Sequence, residues 1–567
     1  MLNYQAEEYM ETVVAKTYSL SPQYVRDCIS CIRGISEHDR PVATAHRVLS
    51  RDNDSSRNTS RNSNSDSDGV HTPDETDSEA VCVLSEVEKN TFKSSMLRVN
   101  GEEKILLPHR NFIQWQDIRL LVVLFCIWKV LLFSIIVLAP GPGYDTSSTL
   151  LVDAGSSVVL AKQTQQVATS VPLVWKFVRW DAIYFTQITR RGYVFEQEWA
   201  FGPGFPTVVG WLQRGLFPDW FRDNVLETAI FGVALSNLCH LLSVLLLPSL
   251  TMTVFSKSPQ SGSSLPRAVA ALHIINPAGG FLLSPCSEAL FSFLNFLGFH
   301  LYLKALRIQY QKRAISAEVH CLAAGAVFGL ATTVRSNGLL SGALFLYDAT
   351  VTARHLLSGN LSVERFRRLI VVGIGGCLIA LGAILPQFRA YVRYCNLGLP
   401  DDLRPWCNEY VPSIYAWVQR HYWNVGLFRY WTVSNIPLFL LAAPTIFILY
   451  KSAIWAWRHD SDALQDGTIR TARSTESDFQ RGCLRRLATP QAMLALLALL
   501  SYHVQIITRL SSAYPLWYIW LYSSIRAAAG HKGRVKSHPI DPQTVVRWMV
   551  VYAVVQATLY ASFLPPA

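Results

Sequence analysis

The chain has 567 residues, a net charge of +11 and a mean hydropathy of +0.21; half of its residues are hydrophobic and only 16% are charged. This composition excludes a single soluble domain, and the apolar runs that recur at the length of a membrane span, about 20 residues, exclude a protein with one anchor. The positive charges are not gathered in one basic arm with interleaved aromatic residues, so we expect no nucleic-acid partner.

Two parts of the chain differ sharply in composition. Residues 1–110 are polar and include a Ser/Asp/Asn/Arg-rich tract at 50–77, which predicts a disordered cytosolic tail. Residues 111–567 predict an all-α polytopic domain with about eleven transmembrane helices. In chain order the predicted spans are 118–139, 227–252, 268–284, 287–303, 318–334, 337–353, 367–388, 435–456, 489–507, 513–529 and 545–563.

Lysine and arginine predict the orientation of these spans. They cluster in short loops that the eleven-span arrangement places on one side, at 304–313, 354–368, 458–486 and 526–536. By the positive-inside rule that side is cytosolic. The stretch 458–487 is then a flexible cytosolic loop. Residues 140–226, with interfacial helices, and 390–434 become the two large lumenal loops.

Asp181 is the most unusual residue of the first lumenal loop. In a helix over 171–190 it would lie on the apolar face, together with Phe177 and Phe185. A carboxylate in that position is costly unless it has a function. The alternative is an ion pair with Arg179 or Lys176 at the lipid headgroups.

Three further lumenal motifs carry polar side chains. Glu196 and Glu198 follow Asp181 in an aromatic, proline-rich run, and we interpret Glu196 as part of a solvated turn. Glu288 lies in the first turn of a span, where a carboxylate also suits the helix dipole. Arg335-Ser336-Asn337-Gly338 is either a turn, with Gly338 in a left-handed conformation, or a phosphate-binding arginine at the membrane interface.

The second lumenal loop combines aromatic rings, amides and arginine between residues 417 and 431. Trp417 and Trp431 are typical of interfacial anchors, but the set as a whole also suits a sugar site. Further on, His503 is either a core histidine or part of that site, and Arg509 is a candidate for an anionic headgroup. Cys395 and Cys407 lie in the same lumenal loop, where an oxidising compartment permits a disulfide.

Taken together, these motifs resemble the integral-membrane mannosyltransferase family that adds the second mannose in glycosylphosphatidylinositol (GPI) anchor synthesis. The resemblance covers residues 118–567. It rests on Asp145-Thr146-Ser147, Arg179-Trp180-Asp181-Ala182, the run from Ala200 to Pro206, Asn276-Pro277-Ala278, Ser287-Glu288-Ala289, Arg335-Ser336-Asn337-Gly338, Pro405-Trp406-Cys407, Tyr422-Trp423-Asn424-Val425-Gly426 and Thr508-Arg509. Two features depart from the family. The tail before residue 110 has no counterpart, and Pro285-Cys286-Ser287-Glu288 stands where the family has Tyr-Ser-Glu.

The resemblance implies a glycosyltransferase of the GT-C type in the endoplasmic reticulum membrane, with its active site formed by lumenal loops. The implied donor is dolichol-phosphate mannose and the acceptor is mannosyl-glucosaminyl-phosphatidylinositol. It implies no cofactor, and no zinc-ligand spacing predicts a metal. A small membrane subunit is a possible partner, besides membrane lipids.

The resemblance also assigns roles to residues. A β-linked donor that gives an α-mannoside requires inversion, with Asp181 as the general base. The candidates for binding the donor phosphate are Arg179, Arg335 and Arg509. The candidates for contacting substrate are Trp180, Asp145, Glu198, Glu288, Asn337, Gln419, Tyr422, Trp423, Asn424, Arg429 and His503.

Three alternatives remain from the sequence. One is another dolichol-phosphate-sugar-dependent transferase, acting on the first GPI mannose or on the N-glycan precursor. The second is a lipid or solute transporter, which could also place polar residues between spans. The third is a noncatalytic subunit of a membrane complex.

Overall fold

The computed structural model describes nine stretches of the chain, all within the unit Pro108–Ala567: residues 115–140, 173–216, 225–255, 264–311, 313–359, 361–396, 404–458, 470–530 and 541–562. The predicted tail, 1–110, lies outside the described residues, as do 141–172 and, within the cytosolic loop predicted at 458–487, residues 459–469. The rest of that predicted flexible loop, from Arg470 onward, is helical instead. The described residues are helical and contain no strand. The all-α fold predicted from the sequence is therefore confirmed.

Fourteen helices of eight or more residues follow one another along the described chain. They are α1 Trp115–Leu138, α2 Asp181–Arg191, α3 Gly204–Leu216, α4 Val225–Phe255, α5 Ser264–Ile274, α6 Glu288–Tyr310, α7 Ala314–Val334, α8 Gly342–Leu357, α9 Val363–Cys395, α10 Ile414–His421, α11 Ile436–Arg458, α12 Arg470–Leu500, α13 Leu516–Gly530 and α14 Pro542–Ala561. Short 3₁₀ segments lie between several of them.

Eight of the described helices are long and apolar enough to cross a bilayer, namely α1, α4, α6, α7, α9, α11, α12 and α14. The protein is thus a multi-pass membrane protein, but the count of eleven spans is not confirmed. The segments predicted at 268–284, 337–353 and 513–529 correspond to the shorter helices α5, α8 and α13, of 11, 16 and 15 residues. In α5 the reason is local: the helix ends at Ile274, and Asn276-Pro277 turns the chain, with Asn276 Oδ1 accepting from the Ala278 backbone N–H at 2.7 Å.

Glycines bring α7 and α9 into close backbone contact. A Cβ on Gly325 would lie 2.6 Å from Gly375 Cα, and one on Gly382 would lie 2.2 Å from the Gly329 carbonyl oxygen. Small residues at a helix crossing permit the backbone packing that drives association where lipid weakens the hydrophobic effect. The crossing fixes the end of α7, from which the chain enters the segment beginning at Arg335.

The last turns of α9 support the described part of the large loop predicted at 390–434. Its 33 residues span about 50 Å, more than the hydrocarbon thickness of a bilayer. Its last turns carry Tyr391, Tyr394 and Cys395, which pack against Trp406 and the N-terminal part of α10. The helix therefore supports an aromatic platform beyond the bundle.

Candidate active site

Asp181 begins α2, and the backbone before it is held in an unusual conformation. Trp180 has φ 53°, in the left-handed region, which costs free energy for a residue with a side chain and is typical of functional sites. The hydroxyl of Tyr560 in α14 donates to the carbonyls of Phe177 and Arg179 at 3.0 and 3.1 Å. The carboxylate of Asp181 is thus presented by a backbone that a distant helix fixes.

Four charged side chains from four parts of the chain meet beside this carboxylate; we call Asp181, Glu288, Arg335 and Arg509 the pocket cluster. Arg509 Nη2 donates to Asp181 Oδ2 and to Glu288 Oε1, and its Nε donates to the same Glu288 oxygen at 2.7 Å. Arg335 Nη1 donates to Glu288 Oε1 at 2.9 Å and to Ser287 Oγ at 3.0 Å. Two carboxylates and two guanidinium groups balance in charge.

The two carboxylates have different surroundings. Glu288 is 1% exposed and lies behind the arginines, so it holds both of them. The side chain of Asp181 is 26% exposed, and its Oδ1 has no hydrogen-bond partner among the described residues. Asp181 therefore retains a free oxygen that can accept a proton.

Arg509 is fixed on several sides. Burial alone would lower the pKa of its guanidinium, but the charges of Asp181 and Glu288 outweigh that effect and hold the pKa above its ordinary value. The guanidinium lies 3.8 Å from the ring centroid of Phe281, and Ser512 Oγ donates to the Arg509 carbonyl at 2.7 Å. The guanidinium of Arg509 therefore carries a permanent positive charge in a restricted position.

Close packing at the end of α7 positions Arg335. A Cβ on Gly202 would lie 2.2 Å from the Thr333 carbonyl oxygen, so the Gly-Pro-Gly run of the first lumenal loop docks directly on this helix end. The prediction that Gly338 adopts a left-handed conformation is wrong. Gly338 is required for space instead, because a Cβ there would lie 2.8 Å from Thr332 Cα.

The pocket cluster opens into a cavity of about 640 Å³, which we call the active-site pocket. Eight of the predicted site residues line it: Trp180, Asp181, Arg335, Asn337, Gln419, Trp423, His503 and Arg509. The Gln505 amide, close to His503 in the sequence, also lines it. So do aromatic residues that were not predicted from the sequence, among them Tyr184, Phe281, Tyr415 and Tyr502. Stacking rings with a few polar groups are what a ligand-binding pocket requires.

The tyrosines that line the pocket keep their hydroxyl protons and can donate hydrogen bonds. Burial, followed by the charges of Asp181 and Glu198, raises the pKa of Tyr184. Burial also raises the pKa of Tyr415, whose hydroxyl lies 2.8 Å from Ser336 Oγ. Tyr184 lies in a short helix and could have been found from the sequence, since it falls one turn from Asp181.

His503 lies on the wall of the pocket opposite the first lumenal loop. Burial lowers the pKa of its imidazole, and the charge of Asp181 counteracts this only in part. Its ring packs edge-on against Tyr430, with centroids 4.9 Å apart, and the Tyr430 hydroxyl donates to Gln505 Oε1 at 3.1 Å. The imidazole of His503 is therefore neutral on the pocket wall.

Several predicted site residues do not line the pocket. Glu198 is buried elsewhere, where it accepts from Arg191 and from the backbone N–H groups of Val194 and Phe195, and so closes the turn after α2. Asn424 and Arg429 are exposed on the second lumenal loop, and Arg179 is buried beside Tyr560. Asp145 lies outside the described residues.

The interpretation of Glu196 as a solvated turn is wrong. Its carboxylate accepts from Trp406 Nε1 at 3.3 Å and from the Tyr422 hydroxyl at 3.1 Å, which explains why Tyr422 faces away from the pocket. These contacts join the two large loops predicted at 140–226 and 390–434. Cys395 and Cys407 form a disulfide in the same region, which ties the end of α9 to the segment carrying Trp406.

The alternative partners considered for Asp181 can now be compared with its contacts. Lys176 donates to the carbonyls of Val137 and Ala139, both at 2.7 Å, and so caps α1. The ion-pair partner of Asp181 is Arg509, which lies 328 residues further along the chain. The carboxylate is therefore part of a tertiary site and not of a local headgroup contact.

Helices that span a membrane and a charge-balanced centre at one end of them, open to an aromatic pocket, define a multi-pass membrane enzyme. Comparison with known proteins gives the family. A family model described as mannosyltransferase (PIG-V) matches residues 118–567, and the chain belongs to that family. It is a glycosyltransferase that transfers mannose, and the resemblance noted in the sequence is confirmed.

Individual relatives agree with the family. The chain is 43% identical to GPI mannosyltransferase 2 of Aspergillus oryzae, over 79% of this chain and 96% of that protein. It is 38% identical to GPI mannosyltransferase 2 of Chaetomium globosum, over 81% of this chain and 98% of that protein. Among solved structures, an oligosaccharyltransferase of Archaeoglobus fulgidus tethered to an acceptor peptide matches with 11% identity and a TM-score of 0.40, over 79% of this chain and 56% of that one.

Proposed function

We propose that this protein transfers the second mannose, in α-1,6 linkage, from dolichol-phosphate mannose to the one-mannose GPI precursor in the lumen of the endoplasmic reticulum. The observation that carries the proposal is the position of Asp181: it faces the pocket, one of its oxygens is held by Arg509, and the other is free. The relatives' name, GPI mannosyltransferase 2, supports the acceptor.

In the proposed reaction, the acceptor hydroxyl oxygen forms a bond to the anomeric carbon of mannose on the face opposite the phosphate. The bond from that carbon to the phosphate oxygen breaks, and the hydroxyl proton passes to Asp181 Oδ1. Inversion follows because attack and departure occur on opposite faces. The phosphate leaves with its own electron pair and needs no acid.

The pocket cluster keeps the charge of the site constant during this step. The donor is a phosphodiester and the departing lipid phosphate carries one more negative charge, while Asp181 loses one by accepting the proton. Arg509, which is bonded to Asp181, then becomes available to the phosphate, and Arg335 lines the same pocket. Preorganised positive charge of this kind stabilises developing negative charge without reorganisation.

An apolar groove of about 1140 Å³ beside the pocket offers space for a lipid chain. It lies between α11 and α12 and begins at Trp431, whose Nε1 donates to the Leu499 carbonyl at 2.8 Å. Tyr430, which packs on His503 in the pocket wall, is the preceding residue. A substrate with a polar head and a long apolar tail fits this neighbourhood.

The test measures transfer of labelled mannose from dolichol-phosphate mannose to the one-mannose GPI intermediate. Membranes are used because they retain any small subunit that the enzyme requires. Wild type and Asp181→Asn are compared with Asp117→Asn, in which the lost carboxylate also pairs with one arginine, Arg267, but lies far from the pocket.

We expect product from wild type and from Asp117→Asn, and a loss of about 100-fold or more for Asp181→Asn at matched protein level. Comparable activity in both variants would remove Asp181 from the role of base. Transfer by wild type to an N-glycan precursor, without transfer to the GPI intermediate, would overturn the proposed acceptor.

A further inference from the structure

A second group of charged residues lies at the other end of the same helices. Tyr302 of α6, Asp348 of α8, Arg368 of α9 and Arg486 of α12 form what we call the opposite-face cluster. Tyr302 is on the helix that begins with Glu288, fourteen residues or about 21 Å further along its axis. The cluster is therefore separated from the active-site pocket by most of the membrane thickness.

One carboxylate holds this cluster together. Asp348 is 3% exposed; its Oδ2 accepts from Arg368 Nη2 and from the Tyr302 hydroxyl, both at 2.9 Å, and its Oδ1 accepts from Arg486 Nη2 at 2.8 Å. A single carboxylate thus pairs with two guanidinium groups, so the cluster carries one positive charge in excess. An uncompensated charge in a partly buried site is unfavourable, so the arrangement favours binding of an anion.

The excess charge faces a cavity. A space of about 470 Å³, the opposite-face cavity, is lined by Arg365, Arg368, Arg486 and His355 and by two carboxylates, Asp348 and Asp478. Asp478 pairs with Arg481, so the arginines remain in excess. Arg486 is largely used by the protein, because it also donates to the Tyr302 hydroxyl and to the Gly482 carbonyl, both at 3.3 Å. Arg368 makes only its contact with Asp348 among the described residues, so its remaining N–H groups are available to a ligand.

The rest of the cavity wall is apolar. Leu306, Val351 and Phe479 lie beside the arginines. A site between membrane helices that combines guanidinium groups with apolar walls suits a phospholipid. The guanidinium groups bind its phosphate, and the apolar walls contact its acyl chains. A carboxylate ligand also fits a guanidinium group, but aspartate or glutamate has no acyl chain to cover the apolar wall.

We propose that the opposite-face cavity binds a phosphate group, as carried by an anionic phospholipid headgroup, on the membrane face opposite the active-site pocket. Arg368 and Arg365 contact the phosphate, and Asp348 orients Arg368 without contacting the ligand. The site is independent of the proposed transfer reaction. Its occupation neutralises the excess charge and so stabilises the packing of α6, α8, α9 and α12.

The chain offers a matched control on α9. Arg367 is adjacent to Arg368, but its Nε donates to Glu318 Oε1 at 2.7 Å and it does not line the cavity. Arg368→Gln and Arg367→Gln thus remove the same charge from neighbouring positions, with only the former facing the proposed site. Arg365→Gln supplies a second test at an exposed position, where a folding defect is not expected.

The experiment measures the melting temperature of the purified full chain in an uncharged detergent during titration with three probes. These are dioctanoyl phosphatidylinositol, dioctanoyl phosphatidylcholine as a lipid without net charge, and inorganic phosphate. Each variant is compared with its own ligand-free melting temperature, so that a change of basal stability does not enter the result.

We expect phosphatidylinositol to raise the melting temperature of wild type and of Arg367→Gln, with phosphatidylcholine giving little change. Arg368→Gln should require about tenfold more lipid for the same shift, and Arg365→Gln should show a smaller loss in the same direction. An equal shift with inorganic phosphate that Arg368→Gln also loses would support the site and assign free phosphate as its source. Equal responses of Arg368→Gln and Arg367→Gln, or no response of wild type to any probe, would overturn the proposal.

Discussion

The two charged clusters of this protein use the same chemistry in different proportions. The pocket cluster sets two carboxylates, Asp181 and Glu288, against two arginines, whereas the opposite-face cluster sets Asp348 alone against two. Both join several helices, and both lie beside a cavity. The difference is that the pocket cluster is neutral before a substrate arrives.

This difference indicates what each cluster can do. In the neutral pocket cluster, the proposed transfer of a proton to Asp181 would free Arg509, so that charge can move within the site during a reaction. A cluster with a fixed excess charge can bind an anion, but its charge does not move during a reaction. The two clusters therefore differ in function: one is arranged for catalysis and the other for ligand binding, although both contain arginine and aspartate.

Removing an arginine from the pocket cluster should have the largest effect. Arg509→Met leaves the buried Glu288 and Asp181 with one partner fewer, and we expect a loss of about 3–5 kcal/mol in the free energy of unfolding together with loss of transfer. The measurements are melting in detergent and mannose transfer in membranes. Asp181→Asn serves as the control, since Arg509 keeps Glu288 as its partner and the melting temperature should change little. A stable and active Arg509→Met variant would contradict the described cluster.

The disulfide gives the active-site end a covalent brace. Replacing Cys395 and Cys407 by serine should reduce the free energy of unfolding by about 3 kcal/mol, because it removes the cross-link of a short loop. Since the larger loop 390–434, which contains the disulfide, carries Trp423 to the pocket, we expect the KM for the acceptor to rise more than kcat falls. Cys377→Ser, an exposed thiol on α9, is the matched control. An unchanged KM in the double variant would show that the disulfide does not position the residues of the pocket.

Removing the acid of the opposite-face cluster should have a moderate effect of a different kind. Asp348→Asn leaves the charges of Arg368 and Arg486 uncompensated, at a cost of about 2 kcal/mol, which is below the fully buried case because both arginines are partly exposed. Transfer per folded molecule should stay within about twofold of wild type. A variant that melts like wild type but has lost transfer would show that the two clusters are coupled.

The smallest effect concerns the pH dependence of stability through His503. The folded protein lowers the pKa of this imidazole below its ordinary value of about 6.5, so the unfolded chain takes up a proton first as the pH falls. Stability should therefore decrease on acidification from about pH 6.5 to the folded pKa, by at most about 1.4 kcal/mol per pH unit. Melting curves of wild type and His503→Gln over this range measure it. A slope that His503→Gln leaves unaltered would assign the effect to other groups.

The sequence predicted those features of the site that depend on local pattern. Asp181 was identified because it interrupts an apolar stripe, and Arg335 and Arg509 because each follows a span on the lumenal side. The pairing of Asp181 with Arg509 could not be predicted, since it depends on how remote helices pack. Glu198 shows the reverse error: an acid close in sequence to Asp181 is used to close a turn.

The count of eleven spans is not confirmed for a related reason. Hydropathy over 268–284 does not distinguish a transmembrane helix from the buried turns that follow Ile274, because both are apolar. Pro277 and the glycines after it were the available signal. By contrast, α1, α4 and α9 were recognisable, since each contains an apolar window long enough to cross a bilayer.

The contact between Tyr560 and the backbone before Asp181 also bears on how the enzyme is made. These residues are separated by 381 positions, which a ribosome takes about 20–80 s to translate. Until α14 has entered the membrane, the peptide at Trp180 has no hydroxyl to hold it, and Arg509 itself is made late. A nascent chain therefore carries Asp181, the proposed base, for most of its synthesis without the contacts that hold it in the site, and the pocket cluster is complete only near the end of translation.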